Sequence, residues 1–91
     1  MVKAVNSIPI LMTTPRVIKE SSGNDNLNFI TIINPWIKSL GYKYVDIAYC
    51  LSTGDSVTMD TNRMRPDLVH PNHVGAEAIL HWVENNLHEI L

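Results

Sequence analysis

The chain contains a single cysteine, no long apolar run and no marked excess of either charge. Because Cys50 is alone, an internal disulfide framework and a zinc site built from several cysteines are excluded. No run approaches the roughly 20 apolar residues of a spanning helix, so we expect no membrane span. Seven basic residues stand against nine acidic ones without a basic cluster, which argues against nucleic acid and anionic membranes as partners.

What is present is ordinary for a small globular protein. The 91 residues are 45% hydrophobic and 18% charged, so we expect one domain at most over residues 1–91 and no wholesale disorder. Met1 to Ala4 are not followed by the apolar region and cleavage site of a secretory signal. The default expectation is therefore a cytoplasmic protein, although nothing in the sequence fixes its location.

The first half of the chain predicts a strand, a loop and a helix. Residues 8–12 form a short apolar run closed by a proline-bearing turn, as in a buried parallel strand. Residues 16–26 are polar and predict a loop. Apolar residues then recur at spacings of three and four over 27–40, which predicts a helix that stops at Gly41. Pro35 inside it predicts a kink, or a break near Asn34.

The second half predicts a strand, a long loop and a helix. Residues 42–48 predict the second strand, because Tyr44, Val45 and Ile47 have high β propensity. Residues 49–72 carry little periodicity and predict a loop long enough to be functional. A helix is predicted from Val74 onward, with its N-cap at Asn72 or His73. A strand–helix–strand crossover implies a parallel pair with helices packed on it, and so an α/β fold with about two strands and two main helices.

Asp67 and His70 form the candidate site. A carboxylate three residues before an imidazole on a turn can hydrogen-bond the ring directly, fix its tautomer and stabilise its protonated form. A general base needs these properties. The alternative is a turn in which Asp67 caps the backbone and His70 is merely exposed.

Residues 67–75, which read DLVHPNHVG, resemble the C-terminal block of the SGNH (GDSL-type) hydrolases. The strand and Thr-Thr-Pro-Arg loop of residues 8–16 are similar to that family's penultimate strand, and residues 27–47 to its last helix–strand unit. The likeness covers nearly the whole chain but only the C-terminal half of a family domain. It implies a three-layer α/β/α, flavodoxin-like fold, of which this chain would be a part.

The resemblance also implies an activity. His70 matches the catalytic base and Asp67 the acid of a triad that cleaves carboxylic esters through an acyl-enzyme, without metal or cofactor. Small-molecule, carbohydrate and lipid esters are the implied substrates. The family's serine belongs to an N-terminal Gly-Asp-Ser block, which does not precede Ile8. We therefore expect the isolated chain to be inactive. Thr14, Arg16 and Asn72 are predicted to line the substrate site, with turn roles as the alternative for the first two.

Other residues imitate functional motifs. Residues 54–56 spell Gly-Asp-Ser, but they follow the last predicted strand, where Ser56 would lack backbone donors for an oxyanion. Residues 23–25 resemble the family's asparagine block at an equally wrong place. His70 and His73 with Asp67 form a weak metal motif. Trp36 and Trp82 are predicted core residues, and His81 and His88 are predicted on a solvated helix face.

A different class of function remains open. The strand at residues 8–12 has an apolar edge and face that an adjoining strand would normally cover. The chain is then a non-catalytic fragment that self-associates as a homodimer, or that complements a separate N-terminal half.

Overall fold

The computed structural model describes residues 9–19 and 24–87. Its helices are α1 (Leu27–Ser39), α2 (Ile47–Cys50) and α3 (His73–Asn86), with a 3-10 turn at Thr61–Arg63. Its strands are β1 (Ile10–Met12), β2 (Ile18–Lys19), β3 (Asn24–Asp25) and β4 (Lys43–Val45). The architecture is a small mixed α/β arrangement.

A parallel pair of strands organises the fold. Strand β1 pairs with β4 so that Leu11 lies opposite Tyr44 and Met12 opposite Val45. Helix α1 forms the crossover between them, as the strand–helix–strand pattern predicts. The parallel pair confirms the predicted α/β class. It also brings the carboxyl ends of both strands, at Thr13 and Asp46, to the same edge.

Helix α1 ends where the sequence predicts, at a glycine with positive φ. Gly41 has φ +80, a conformation that costs glycine little. The helix is continuous through Pro35, so the predicted break near Asn34 does not occur. The buried Asn34 side chain accepts a hydrogen bond from the Thr14 amide at 2.7 Å and donates to the Thr14 carbonyl at 2.8 Å. These two bonds anchor the helix at the proline.

The second strand is shorter than predicted. Strand β4 ends at Val45, and Asp46 caps the one-turn helix α2 by accepting from the Tyr49 amide. Ile47 and Ala48 are therefore helical, although the β propensity of Ile47 favours a strand. The cap overrides that propensity because it offers the amides of the next turn a partner.

Two predicted loops contain ordered pairings. Strands β2 and β3 pair antiparallel within the predicted loop 16–26. The predicted loop 49–72 holds two isolated bridges, Ser52 with Met59 and Met64 with Pro71. Its apolar residues also form the main core cluster, which comprises Leu51, Met59 and Met64, with Ile18, Ile47, Leu68 and Ile79 packed against it. This core escapes sequence reasoning because its residues follow no regular period.

The two tryptophans differ in their surroundings. Trp82 is half-buried and lies with its ring centroid 6.3 Å from that of Tyr44. Trp36 is 56% exposed, so its assignment to the core is wrong. The face of α1 that packs inward is centred on Ile30, which is 1% exposed, and Trp36 lies away from it. His81 is exposed as predicted, whereas His88 lies outside the described residues.

None of the described helices is long and apolar enough to cross a membrane.

Candidate active site

The turn at residues 67–70 is built around one carboxylate. Oδ1 of Asp67 accepts hydrogen bonds from the amides of Val69 at 2.9 Å and His70 at 3.1 Å. Oδ2 of Asp67 lies 2.6 Å from Nδ1 of His70. Leu68, between them, has a positive φ of 57°, which closes the turn tightly enough for the ring to meet the carboxylate. The predicted contact between Asp67 and His70 is thus present, and we call the pair the dyad.

The electrostatics of the dyad fix its hydrogen-bonding pattern. The hydrogen bond from His70, followed by those from the two backbone amides, holds the pKa of Asp67 far below its usual range. An ionised carboxylate can only accept, so Nδ1 of His70 must carry the hydrogen. In the neutral ring, Nε2 then carries the lone pair. Within residues 9–19 and 24–87, Nε2 makes no hydrogen bond, and the side chain is 69% exposed.

The segment that carries the dyad is fastened to the start of α3. Asn72 caps this helix by accepting from the Gly75 amide at 3.0 Å. Its Nδ2 donates to the carbonyls of Asn62 at 3.0 Å and Met64 at 3.1 Å. The Asn72 amide also donates to the Arg63 carbonyl. Both sides of the turn are therefore tied together by a single side chain.

Gly75 allows the first turn of α3 to pack closely against the backbone of Arg63. A Cβ atom at this position would lie 2.3 Å from the Arg63 carbonyl oxygen and 3.0 Å from Leu51. Any larger residue must push α3 away from the segment that leads into the dyad. The glycine that follows the DxxHPN motif thus has a packing role.

Thr14, Arg16 and Asn72, which are predicted to line a substrate site, all make contacts within the fold. Asn72 has both amide hydrogens and its carbonyl oxygen engaged, as described above. Thr14 meets Asn34 through its own backbone. Arg16 pairs with both carboxylate oxygens of Asp25 at 2.7 Å and donates to the Val57 carbonyl at 2.9 Å. Among the described contacts, none joins Thr14 or Arg16 to the dyad.

A second carboxylate cluster lies at the carboxyl ends of the parallel strands. Thr13, 2% exposed, donates from Oγ1 to Asp46 at 2.9 Å and accepts from the Ala48 amide at 3.0 Å. The other oxygen of Asp46 lies 3.0 Å from Nζ of Lys38. We call Thr13, Lys38 and Asp46 the strand-end cluster. The predictions from the sequence do not include this cluster, although Thr13 and Asp46 directly follow the two paired strands, where polar residues of α/β proteins commonly meet.

A pocket opens beside the strand-end cluster, between α1 and the loop that follows α2. Its volume is about 320 Å³. We call it the α1 pocket, and its lining residues are Ile30, Thr31, Asn34, Pro35, Lys38, Asp46, Ala48, Ser56 and Val57. The dyad is not part of this lining. The dyad on its exposed turn and the strand-end cluster beside the pocket are therefore separate polar features of the described residues.

Ser56 lies at the α1 pocket and not at the dyad. Its φ is +69°, in the left-handed region that disfavours side-chain-bearing residues. Its amide donates to Oγ of Ser52 at 3.1 Å, as does the amide of Gly54. Within the part of the chain that the structure describes, the Ser56 hydroxyl has no hydrogen-bond partner.

The geometry does not support a metal site or a cysteine nucleophile among the described residues. Among the described residues, no three His, Cys, Asp or Glu side chains come together to hold a metal ion. Cys50 is buried, and this burial raises the pKa of its thiol to about 11. A thiol that remains protonated at neutral pH is a poor nucleophile.

Comparison of the chain with protein-family models, with curated proteins and with solved structures gives no match.

Proposed function

We propose that this chain is the C-terminal part of an SGNH-type ester hydrolase with a three-layer, flavodoxin-like fold. In this proposal it supplies the base and the acid of a Ser-His-Asp triad. The observation that carries the proposal is the 2.6 Å contact between Nδ1 of His70 and Oδ2 of Asp67, on a His70 side chain that is 69% exposed. The parallel pair of strands and the helix that follows the dyad agree with it.

The proposed chemistry uses each atom of the dyad. Nε2 of His70 takes the hydroxyl proton of a serine as the serine oxygen forms a bond to the ester carbonyl carbon. Nε2–H then gives that proton to the leaving alcohol as the carbon–oxygen ester bond breaks. Asp67 keeps its negative charge throughout and stabilises the imidazolium between the two steps. In deacylation, Nε2 takes a proton from water as the water oxygen attacks the acyl carbon, and Nε2–H then returns a proton to the serine oxygen as the acyl–serine bond breaks.

The serine in this proposal comes from a segment outside these 91 residues, in a longer protein or in a second chain. Ser56 is the only Gly-Asp-Ser serine in the sequence, and it belongs to the α1 pocket and not to the dyad. An in-frame Gly-Asp-Ser block in the coding sequence upstream would support this division. Small-molecule, carbohydrate or lipid esters would be the substrates.

Hydrolysis of 4-nitrophenyl acetate by the purified chain tests the dyad. His73 offers a matched control, because it is exposed, lies three residues away and has no carboxylate partner among the described residues. We expect no enzyme-like turnover and only slow hydrolysis by the imidazoles, to which His70 contributes most, so that His70→Gln lowers the rate more than His73→Gln does. Equal losses in the two variants would contradict a special role for His70. Rapid turnover abolished by Ser56→Ala would overturn the claim that the nucleophile lies elsewhere.

A non-catalytic assembly role is the second candidate, and a specific observation favours it. Strand β1 exposes Ile10 and Met12, and one face of α1 exposes Phe29, Ile32 and Trp36, of which Ile32 is 74% exposed. So many large apolar residues on one small chain favour an interface.

Light scattering across a concentration series tests the assembly role. We expect a dimer that Ile32→Lys dissociates and that Asn85→Lys, at an exposed polar position of α3, does not. A folded monomer at high concentration would contradict self-association.

A further inference from the structure

The α1 pocket lies where α/β proteins commonly bind ligands. Asp46 and Ala48 directly follow the carboxyl end of β4, and Asn34 holds Thr14, which follows β1. In open α/β sheets, ligands occupy crevices outside the carboxyl ends of the strands. The volume of about 320 Å³ also falls within the range of small-molecule sites.

The lining of the pocket combines apolar surface with few polar groups. Ile30, Pro35, Ala48 and Val57 supply aliphatic contact. The hydroxyl of Ser56 has no partner within the described part of the chain, so it is available to a ligand. Its backbone is held in the left-handed region, with φ +69°. Ser56 thus combines a strained backbone with a hydroxyl that has no partner among the described residues, and it lines the pocket. This combination suggests a functional constraint.

The charges in the pocket define the ligand's head group. Lys38 and Asp46 form an ion pair at 3.0 Å, so their charges offset one another. A carboxylate beside Lys38 would also meet the negative Asp46, and an ammonium beside Asp46 would meet Lys38. A neutral carbonyl avoids both repulsions. It can accept from the Ser56 hydroxyl or from an N–H of Lys38 that Asp46 does not use.

We propose that the α1 pocket binds a neutral aliphatic carbonyl compound, an amide or an ester, with its alkyl chain on the apolar lining and its carbonyl oxygen at Ser56 and Lys38. The site is distinct from the dyad and does not depend on ester hydrolysis, because binding of an unreactive amide is sufficient to show it.

Titration of the ¹⁵N-labelled chain with hexanamide, hexanoate and hexylammonium tests the site. We expect hexanamide to shift the amide resonances of Ala48, Ser56 and Val57 in a saturable manner. The two charged probes should bind at least tenfold more weakly. The proposal would be overturned if hexanoate bound as tightly as hexanamide. It would also be overturned if none of the three probes shifted these amide resonances.

Two variants and a control sharpen this test. Ser56→Gly removes the hydroxyl and relieves the strained φ, so the fold is retained while hexanamide binding should weaken at least threefold. Thr31→Phe, at an exposed position of the lining, should block the pocket and abolish the shifts. Thr53→Ala, in the same loop but outside the lining, should bind as the wild type does. Unchanged binding in both pocket variants would overturn the assignment, whatever the outcome of the ester assay.

Discussion

The strand-end cluster and the dyad are each built around one aspartate whose two oxygens are both engaged. Asp46 meets Thr13, Tyr49 and Lys38, and Asp67 meets two backbone amides and His70. They differ in burial, since the Asp46 side chain is 11% exposed and that of Asp67 is 46% exposed. The same chemistry therefore has different consequences. A buried carboxylate must keep its partners for the fold to persist, whereas an exposed one leaves its partner available for reaction.

Removal of the Thr13 hydroxyl should have the largest effect on stability. Thr13→Val keeps the shape but leaves the Ala48 amide without its partner, and it leaves Oδ1 of the buried Asp46 with only the hydrogen bond from the Tyr49 amide at 3.4 Å. We expect the free energy of unfolding to fall by about 2–3 kcal/mol, as for a lost buried hydrogen bond to a charged group. Urea unfolding measures this loss. Thr53→Val, at an exposed site, is the control, and equal behaviour of the two variants would break the contrast between buried and exposed clusters.

Gly75→Ala should lower the free energy of unfolding by a similar or slightly smaller amount. It acts on the packing of α3 against the segment that leads into the dyad, and not on the dyad itself. Its Cβ would lie 2.3 Å from the Arg63 carbonyl oxygen, so the first turn of α3 must shift. Overpacking of this kind costs about 1–3 kcal/mol. The exposed neighbour Glu77 provides the control as Glu77→Ala. If thermal unfolding of Gly75→Ala matches that of the control, the close contact of α3 with the Arg63 segment is not as described.

Cys50 probes the burial of the core beside the strand-end cluster. Its thiol pKa of about 11, against an ordinary 9.0, means about a hundredfold less thiolate in the folded chain at pH 8. We expect a thiol reagent to modify the native protein at least a hundredfold more slowly than the urea-unfolded protein. Comparable rates would show that this region opens readily and that the buried cluster is not secluded.

The smallest effect should come from Asp67→Asn. Because the folded-state pKa of Asp67 is depressed, its contribution is present above the unfolded value near 3.8 and is lost as the pH falls below it. Because the pair is exposed, this contribution is small, and we expect the melting temperature of the variant at pH 7 to lie only slightly below that of the wild type. Below about pH 4 this small difference should shrink as Asp67 of the wild type is protonated. A large loss at pH 7 would show that the dyad is a structural element, like Asp46.

The sequence predicts those parts of the molecule that depend on local pattern. The 27–40 periodicity, the Gly41 stop and the Asn72 cap all correspond to the structure. The contact between Asp67 and His70 also follows from spacing alone, because both residues lie on one turn.

Long-range partners account for what the sequence does not reveal. Asn34 holds α1 together at Pro35 through a residue 20 positions away, and Asp46 ends β4 where β propensity would continue it. Trp36 is exposed because the inward face of α1 is set by packing around Ile30. The strand-end cluster depends on a pairing across 33 residues, which no local pattern specifies.

The tautomer of His70 tests the dyad most directly. Long-range ¹H–¹⁵N correlation spectra of the neutral imidazoles distinguish a ring protonated at Nδ1 from one protonated at Nε2. We predict that His70 carries its hydrogen on Nδ1, donated to Asp67, and that Asp67→Asn removes this preference while His73 and His81 are unaffected. A His70 spectrum indistinguishable from those of His73 and His81 in the wild type would contradict the claim that Asp67 prepares His70 to act as a base.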